Sequence, residues 1–452
     1  MMAIKNKLAS ISLFADKVES TAPLAVFRIV FGIMMFASIV RFWAKGWIYD
    51  LYIAPKYFFT YPYFEWVKPL GDPGMYIIFG LCGIFALAIA FGFFYRFAAA
   101  GFFLTFTYIE LLDKTNYLNH YYFVSLAALL LIFIPANRRF SLDVRFGRVK
   151  AASLAPQIYR RIVMLQLGMV YFFAGLAKLN SDWLLHAQPL KIWLKAYGHW
   201  PVVGSLFDSN WLPYVFSWSG AIYDLTIPFF LLANRTRPFA YFAVIGFHMV
   251  TAMLFPIGMF PYIMIGATLI FFPPKFHDRL LSFLREKKSQ LSAVLKSPPK
   301  VAYSFIVLFV VFQILFPFRH LLYPGEVSWH EQGYRFSWRV MLMEKAGTAF
   351  FHVKDEGSPR ALAVNNRLFL TPTQEKMMAT QPDMLVQYAH FLREYYEKEG
   401  MRNPEVTADV YVTLNGRQSK LFIDNTVDLS GESDTWKPKT WVLPFDDEIS
   451  GI

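Results

Sequence analysis

The chain has 452 residues, 56% of them hydrophobic, and a mean hydropathy of +0.36. A soluble domain of this length is rarely so apolar, and the apolar residues are bunched into long runs, which indicates a polytopic membrane protein. The net charge of +12 then points to membrane orientation rather than to a nucleic-acid partner, because Lys and Arg collect in cytoplasmic loops. The single cysteine, Cys82, sits inside an apolar run; it excludes an intramolecular disulfide, and a buried apolar thiol is a poor nucleophile.

Nine apolar runs predict membrane helices: 24–41, 75–95, 97–112, 117–135, 162–179, 211–232, 238–255, 259–274 and 302–318. The first has no small-residue cleavage site after it and is expected to be retained. Several are near the lower limit of about 17 residues, and the run after Met259 predicts a tilted or partly re-entrant segment.

Loop charge orients the chain. Arg138, Arg139, Arg145, Arg148, Lys150, Arg160 and Arg161 lie between runs four and five, against the single acid Asp143. Arg235 and Arg237 lie between runs six and seven, and Lys275, Arg279, Arg285, Lys287, Lys288, Lys296 and Lys300 between runs eight and nine. With Lys5, Lys7 and Lys17 these loops fall on one side of a nine-span count, predicted cytoplasmic. Everything after Phe318 then lies outside.

From about residue 325 the apolar runs shorten and charges appear throughout. "RVMLMEK" (339–345) and "TAFFHVK" (348–354) predict strands by alternation. "TADVYVTLNGRQSKLFID" predicts a hairpin with Asn415-Gly416 as a type I′ turn. "DMLVQYAHFLREYYEKEG" has helical periodicity and stops at Gly400. The expected architecture is an α-helical polytopic membrane domain of eight or nine spans over 1–320, followed by an extracytoplasmic β-rich α+β domain, mostly strand, over 321–452.

Ionisable groups inside spans are costly and mark function. Arg28 lies near a span end, where a structural, snorkelling role is expected. Glu110 and Asp224 each need a partner. His248, taken alone, is a satisfied core histidine. His120 begins run four and Lys178 ends run five, so both lie at the same depth on the outer side. Two roles remain open for Lys178: an i,i+4 ion pair with Asp182, weak at about 0.3–0.5 kcal/mol, or a lysine kept neutral by desolvation and able to accept a proton. Ala174 and Gly175 stand one turn before it and allow a second helix to come close. The histidines are scattered, with neither a His-x-x-x-His spacing nor paired cysteines, so no metal site is expected.

"LLDKTNYLNHYY", "VYFFAGLAKLNSDW", "FPIGMFPYIM" and "GYRFSWRVMLMEK" occur in this order. Together they resemble the vitamin K-dependent gamma-carboxylase family, in particular its shorter bacterial homologues with an HTTM-type membrane domain. The resemblance runs from the first span to "WVLPF" at 441–445. It implies reduced vitamin K as cofactor, O2 and CO2 as co-substrates, and a glutamate-containing peptide or secreted protein as substrate. It implies Lys178 as the base that deprotonates the hydroquinone, and His120, with Asn119 beside it, in the carboxylation half. Tyr334 and Trp338 of "GYRFSW" are implied in substrate contact, and Met259 and Phe260, with His248, in the quinone pocket. A lipid-soluble quinol reaches such a site through the bilayer, here that of the bacterial inner membrane. The animal enzymes continue for a long stretch beyond the resemblance, which leaves propeptide recognition outside it.

The base needed for a glutamate γ-proton is stronger than any side chain, and the family makes it indirectly from the oxygenated quinol. Lysine serves in that scheme only if burial lowers its proton affinity. The expected site is a cavity between spans four, five and seven, with His120, Lys178 and His248 at its polar end and Met, Phe and Tyr around the rest. Two other functions stay open: quinol epoxidation without carboxylation, and a non-enzymatic transporter or lipid-binding protein using the same buried charges.

Overall fold

The computed structural model describes residues 17–284, 293–447 and 449–451. Lys5, Lys7, Arg285, Lys287 and Lys288 of the expected cytoplasmic face lie outside them.

Each of the nine apolar runs contains a helix. They are α1 (Ala22–Ala44), α2 (Gly71–Phe91), α3 (Tyr95–Leu111), α4 (Asn119–Phe133), α5 (Ile158–Leu176), α6 (Leu212–Leu232), α7 (Arg237–Leu254), α8 (Phe260–Thr268) and α9 (Lys300–Leu315). Proline opens several of them: α1, α6, α7 and α8 each carry one in the first turn, where its missing N–H has no helical acceptor to lose. Five helices among the described residues are long and apolar enough to cross a membrane: α1, α2, α6, α7, and α9 with its 3-10 extension to Leu322. α8, where a tilted or partly re-entrant segment is expected, is short and continues only as a 3-10 turn, Leu269–Phe271. On α9, Val301, Leu308 and Leu315 are exposed; such a face is a liability in water and ordinary against lipid.

Loops separate to two ends of the bundle. At one end Lys56 donates to the Leu368 carbonyl (3.0 Å), Lys114 pairs with Asp383 (2.8 Å), and Arg417 pairs with Asp182 (2.7 Å). The loops after α1, α3 and α5 therefore all carry the C-terminal domain. At the other end Arg28 donates to the Phe140 carbonyl (2.6 Å), Asp143 accepts from the Phe94 amide (2.9 Å), and Arg160 donates to the Phe272 carbonyl (2.7 Å). This end also holds a small sheet absent from the sequence expectation, β1 (Val18–Ser20), β2 (Ala152–Pro156) and β3 (Ala293–Val294), in that order. Arg28 does not snorkel. It is fully buried, with a second bond to the Ile89 carbonyl at 3.0 Å, and it satisfies carbonyls where α2 ends.

The C-terminal domain is less strand-rich than expected. Its sheet has the order β5 (Ala361–Ala363), β4 (Lys345–Lys354), β6 (Glu405–Leu414), β7 (Lys420–Leu421). The helices α10 (Pro372–Met378) and α11 (Pro382–Lys398) pack on it around Val386, Tyr388, Val410 and Val412. Asn415 and Gly416 have φ of 51° and 77°, and the Arg417 amide closes the turn on Leu414 at 3.1 Å. Both central residues are thus left-handed, as type I′ requires.

"RVMLMEK" is not a strand: only its last residue, Lys345, belongs to β4. Phe336, Trp338 and Met341 have φ of 62°, 60° and 52°, which breaks the pleat. Trp338 is fully buried in the core of the helical bundle, not in that of the C-terminal domain.

Candidate active site

The end of α5 meets α6 at unusually short range. A Cβ on Gly175 would lie 2.6 Å from the Leu225 amide nitrogen and 3.0 Å from the Asp224 carbonyl carbon, so only glycine permits this crossing. Gly220, Asp224 and Pro228 follow each other at i,i+4 on α6, and Pro228 has no N–H for the Asp224 carbonyl. The contact sets Asp224 Oδ2 2.8 Å from Nζ of Lys178, which stands just past the end of α5. Lys178 Nζ also donates to the Ala174 carbonyl at 3.1 Å and stands 5.3 Å from the Trp183 ring centroid. Trp183 is held by its indole N–H on the Ser217 carbonyl at 2.8 Å.

Both groups are buried. Removal of either partner would leave a charge without water, which makes the pair mutually dependent. The i,i+4 pairing of Lys178 with Asp182 does not form. Asp182 turns to the C-terminal domain instead, accepting from both terminal nitrogens of Arg417 and from Asn415, each at 2.7 Å.

Lys178 and Asp224 lie at the polar end of a cavity of about 90 Å³. Its walls are Val170, Tyr171 and Ala174 of α5, Phe216 and Gly220 of α6, Phe247, His248 and Thr251 of α7, and Phe260 and Met264 of α8. Val340 and Met341 close it from the C-terminal half of the chain. His248 Nε2 shares a hydrogen bond with the Tyr171 hydroxyl at 3.1 Å, whereas its Nδ1 is buried with no partner among the described residues. It is therefore only half satisfied, unlike the core histidine expected of it.

The motif around His120 does something the sequence did not disclose. Tyr117 and Asn119 grip the 334–341 segment: Asn119 donates to the Arg339 carbonyl (3.0 Å), and the Tyr117 hydroxyl accepts from the Phe336 amide (2.7 Å) while donating to Asn119 (3.0 Å). Tyr122 stacks on Trp338 with ring centroids 4.9 Å apart. Lys114, fully buried, pairs with Asp383, which Arg335 also reaches at 2.6 Å. Burial works against ionisation of the Asp383 carboxyl, but the two cations outweigh it and hold the group well below the usual carboxylate range.

His120 is buried beside Phe260, 5.5 Å between centroids, and Phe260 is in turn 5.7 Å from His248. Phe260 thus stands between the two histidines, and His120, Asn119, Met259, Tyr334 and Trp338 do not line the cavity. The expected junction of His120, Lys178 and His248 is met by the last two alone, and the cavity runs between α5, α6, α7 and α8 rather than spans four, five and seven. Glu110, half-buried on α3, has no hydrogen bond or ion pair among the described residues, in contrast to Asp224.

The HTTM domain family model matches residues 17–276, more than half of the chain, and the model of the vitamin K-dependent gamma-carboxylase lumenal domain matches residues 298–448. The chain belongs to the vitamin K-dependent gamma-carboxylase family. No solved structure matches it. The two matches agree with an architecture of membrane helices followed by a domain of the luminal type, and a gamma-carboxylase family that uses reduced vitamin K, O2 and CO2.

The pairing of Asp224 and the parts played by Val340 and Met341 escaped sequence reasoning. Asp224 was recognisable as needing a partner, and the Gly220–Asp224–Pro228 spacing marked its face, but nothing local tied that face to Gly175. Val340 and Met341 read as part of a strand, and their irregular backbone left no local signal of the cavity.

Proposed function

We propose that this chain oxygenates a reduced naphthoquinone to its epoxide and couples that reaction to CO2 addition at a glutamate γ-carbon. One observation carries the reading: a buried lysine–carboxylate pair, Lys178–Asp224, at the polar end of an aromatic-lined apolar cavity. The lining suits a naphthohydroquinone, with aromatic walls for the ring and an amine for its hydroxyl. At about 90 Å³ the cavity is below the roughly 300 Å³ at which ligand pockets begin. A bicyclic ring therefore seats by moving flexible walls such as Met264 and Met341. When bound, the quinol supplies the strong base that no side chain can.

Lys178 must enter its step uncharged. Transfer of its proton across the 2.8 Å bond to Asp224 turns an ion pair into a neutral amine beside a neutral acid, a state that an apolar cavity favours. The amine takes the quinol hydroxyl proton and becomes the ammonium partner of Asp224 again. Trp183 and Met341 keep water from the amine. Met259 supports Phe260 from the start of α8. A second cavity of about 120 Å³ at the segment gripped by Asn119 is lined by Arg319, Arg335, Lys437 and Lys439, but also by Glu331, Asp383 and Asp434; Tyr334 and Trp338 do not line it, so their part in substrate contact is to hold that segment in place. In the cell we place nine passes in the bacterial inner membrane, with the domain boundary near residue 320, the amino-terminal end cytoplasmic and the C-terminal domain outside. The loop charges and the separation of loops to two ends support this.

The second reading, epoxidation without carboxylation, is favoured by His120 lying behind Phe260. Purified protein in lipid, given reduced vitamin K or menaquinol, labelled bicarbonate and a glutamate peptide, separates the two. Epoxide with fixed label is the expected result. Epoxide without label selects the second reading, and neither product overturns both.

A further inference from the structure

The bundle end remote from the C-terminal domain carries a cleft that plays no part in the lysine site. It measures about 790 Å³ and opens between the first half of α5 and the end of α6. Its polar end is formed by Arg160, Arg161 and Arg237, with Gln157 beside them. Arg160 is occupied, by Glu19 at 2.9 Å and by the carbonyls of Ile270, Phe271 and Phe272. Arg237 donates to the Leu231 and Leu232 carbonyls. Arg161 is exposed and makes no hydrogen bond among the described residues, and Gln157 Oε1 is buried without a partner. Three guanidinium groups thus face one carboxylate, and the polar end keeps an excess of positive charge.

From there the cleft turns apolar. Leu165, Gly168 and Phe172 follow Arg161 at spacings of four, three and four, so they form one stripe along α5, faced by Phe229 of α6. The stripe from Arg161 to Phe172 is roughly 16 Å long at 1.5 Å per residue, about half the thickness of a bilayer's hydrocarbon core. Gly168 keeps it open: a Cβ there would reach Pro228 at an ordinary 3.7 Å, whereas a larger side chain would fill the cleft.

We propose that this cleft binds one anionic phospholipid, with its phosphate at Arg161 and Arg237 and an acyl chain along the Leu165–Phe172 stripe. Guanidinium is suited to phosphate. A soluble phosphate would leave the stripe unused, and a zwitterionic lipid would gain no net attraction from the charge.

The test is lipid retention by the whole chain in nanodiscs of mixed phosphatidylglycerol and phosphatidylcholine, read by native mass spectrometry after release. Wild type should retain a phosphatidylglycerol in preference to phosphatidylcholine. Arg161→Gln should lower that retention about fivefold, the usual weight of one basic residue near a lipid surface, and Gly168→Leu should block it. Lys150→Gln, an exposed cation at the same end but outside the cleft, should change nothing. Equal retention of both lipids overturns the proposal. So does an unaltered Arg161→Gln protein, an equal loss in Lys150→Gln, displacement by glycerol phosphate, or displacement by a neutral quinone. Arg161 is exposed, so its variant keeps the test decisive even if Gly168→Leu fails to fold.

Discussion

Lys178 and Asp224 are 2.8 Å apart and buried, so stability and catalysis are entangled at this pair. Asp224→Ala should cost roughly 3–5 kcal/mol, because it leaves an unpaired buried charge. The double change Lys178→Met, Asp224→Leu should restore most of that in thermal unfolding while epoxide formation stays absent. Lys178→Arg separates the roles more sharply. It keeps a cation for Asp224 but cannot lose a proton usefully, so epoxide formation should fall at least 100-fold, the low end of what a positioned acid or base contributes. An active arginine variant would return Lys178 to a structural role. Gly175→Val tests the helix contact itself. Its Cβ would sit 2.6 Å from a backbone nitrogen, and overpacking of this kind costs roughly 1–3 kcal/mol. It should lower the melting temperature and depress activity by forcing α5 and α6 apart.

The β6–β7 hairpin is a docking element. Its Asn415-Gly416 tip carries Arg417 onto Asp182, just past Lys178, and Trp193 donates to Glu344 at 2.6 Å nearby. Burial pushes the Asp182 carboxyl up, but the hydrogen bonds from Arg417 and Asn415 outweigh it and hold the group below its ordinary value. A depressed carboxyl stabilises above its unfolded value of about 3.9 and loses that contribution as the pH falls through the lower folded value. His330 acts in a different window. Burial holds it down to about 4, against about 6.5 in the unfolded chain, so the unfolded state gains protons first. Stability is full above about pH 6.5 and declines as the pH falls toward 4. Hydrogen exchange over 405–421 should therefore rise in two acid steps. His330→Gln should reduce the upper step and Asp182→Asn the lower one. A single step reduced in neither variant would assign the acid sensitivity elsewhere.

At the scale of the molecule, the loops after α1, α3 and α5 hold the C-terminal domain, while the arginine-rich 136–157 loop lies at the other end. A protease added outside sealed cells should cut the C-terminal domain and spare that loop, and inside-out vesicles should show the reverse. The opposite pattern would invert the orientation, and with it the side from which a glutamate peptide reaches the site. The same geometry makes the two halves interdependent. The 334–341 segment belongs by sequence to the C-terminal half, yet buries Trp338 among the membrane helices and lends Met341 to the cavity. Cutting the chain near residue 325 should therefore abolish activity even if the helices remain inserted, as judged by protease protection of 136–157.

The sequence by itself determined the helices, the hairpin and the family. Apolar runs, first-turn prolines, the Asn-Gly pair and four ordered motifs are local signals, and local periodicity is what a linear text records. It also put forward Lys178 and His120 as candidates and marked Asp224 as a charge in need of a partner. Tertiary structure alone decided that the partners were each other. The i,i+4 neighbour Asp182 was nearer in sequence, but α5 ends at Leu176, so the helical i,i+4 geometry is lost, and Gly175 lets α6 bring Asp224 to 2.8 Å. It also placed His120 behind Phe260, because the rotation of α4 against α8 is set by packing that no single helix encodes. And it made a lid of "RVMLMEK", whose apparent alternation predicts a strand. With Met341 left-handed the backbone cannot pleat there: Val340 and Met341 line the cavity, Leu342 joins the cluster around Trp183, and Met343 packs on the core of the C-terminal domain.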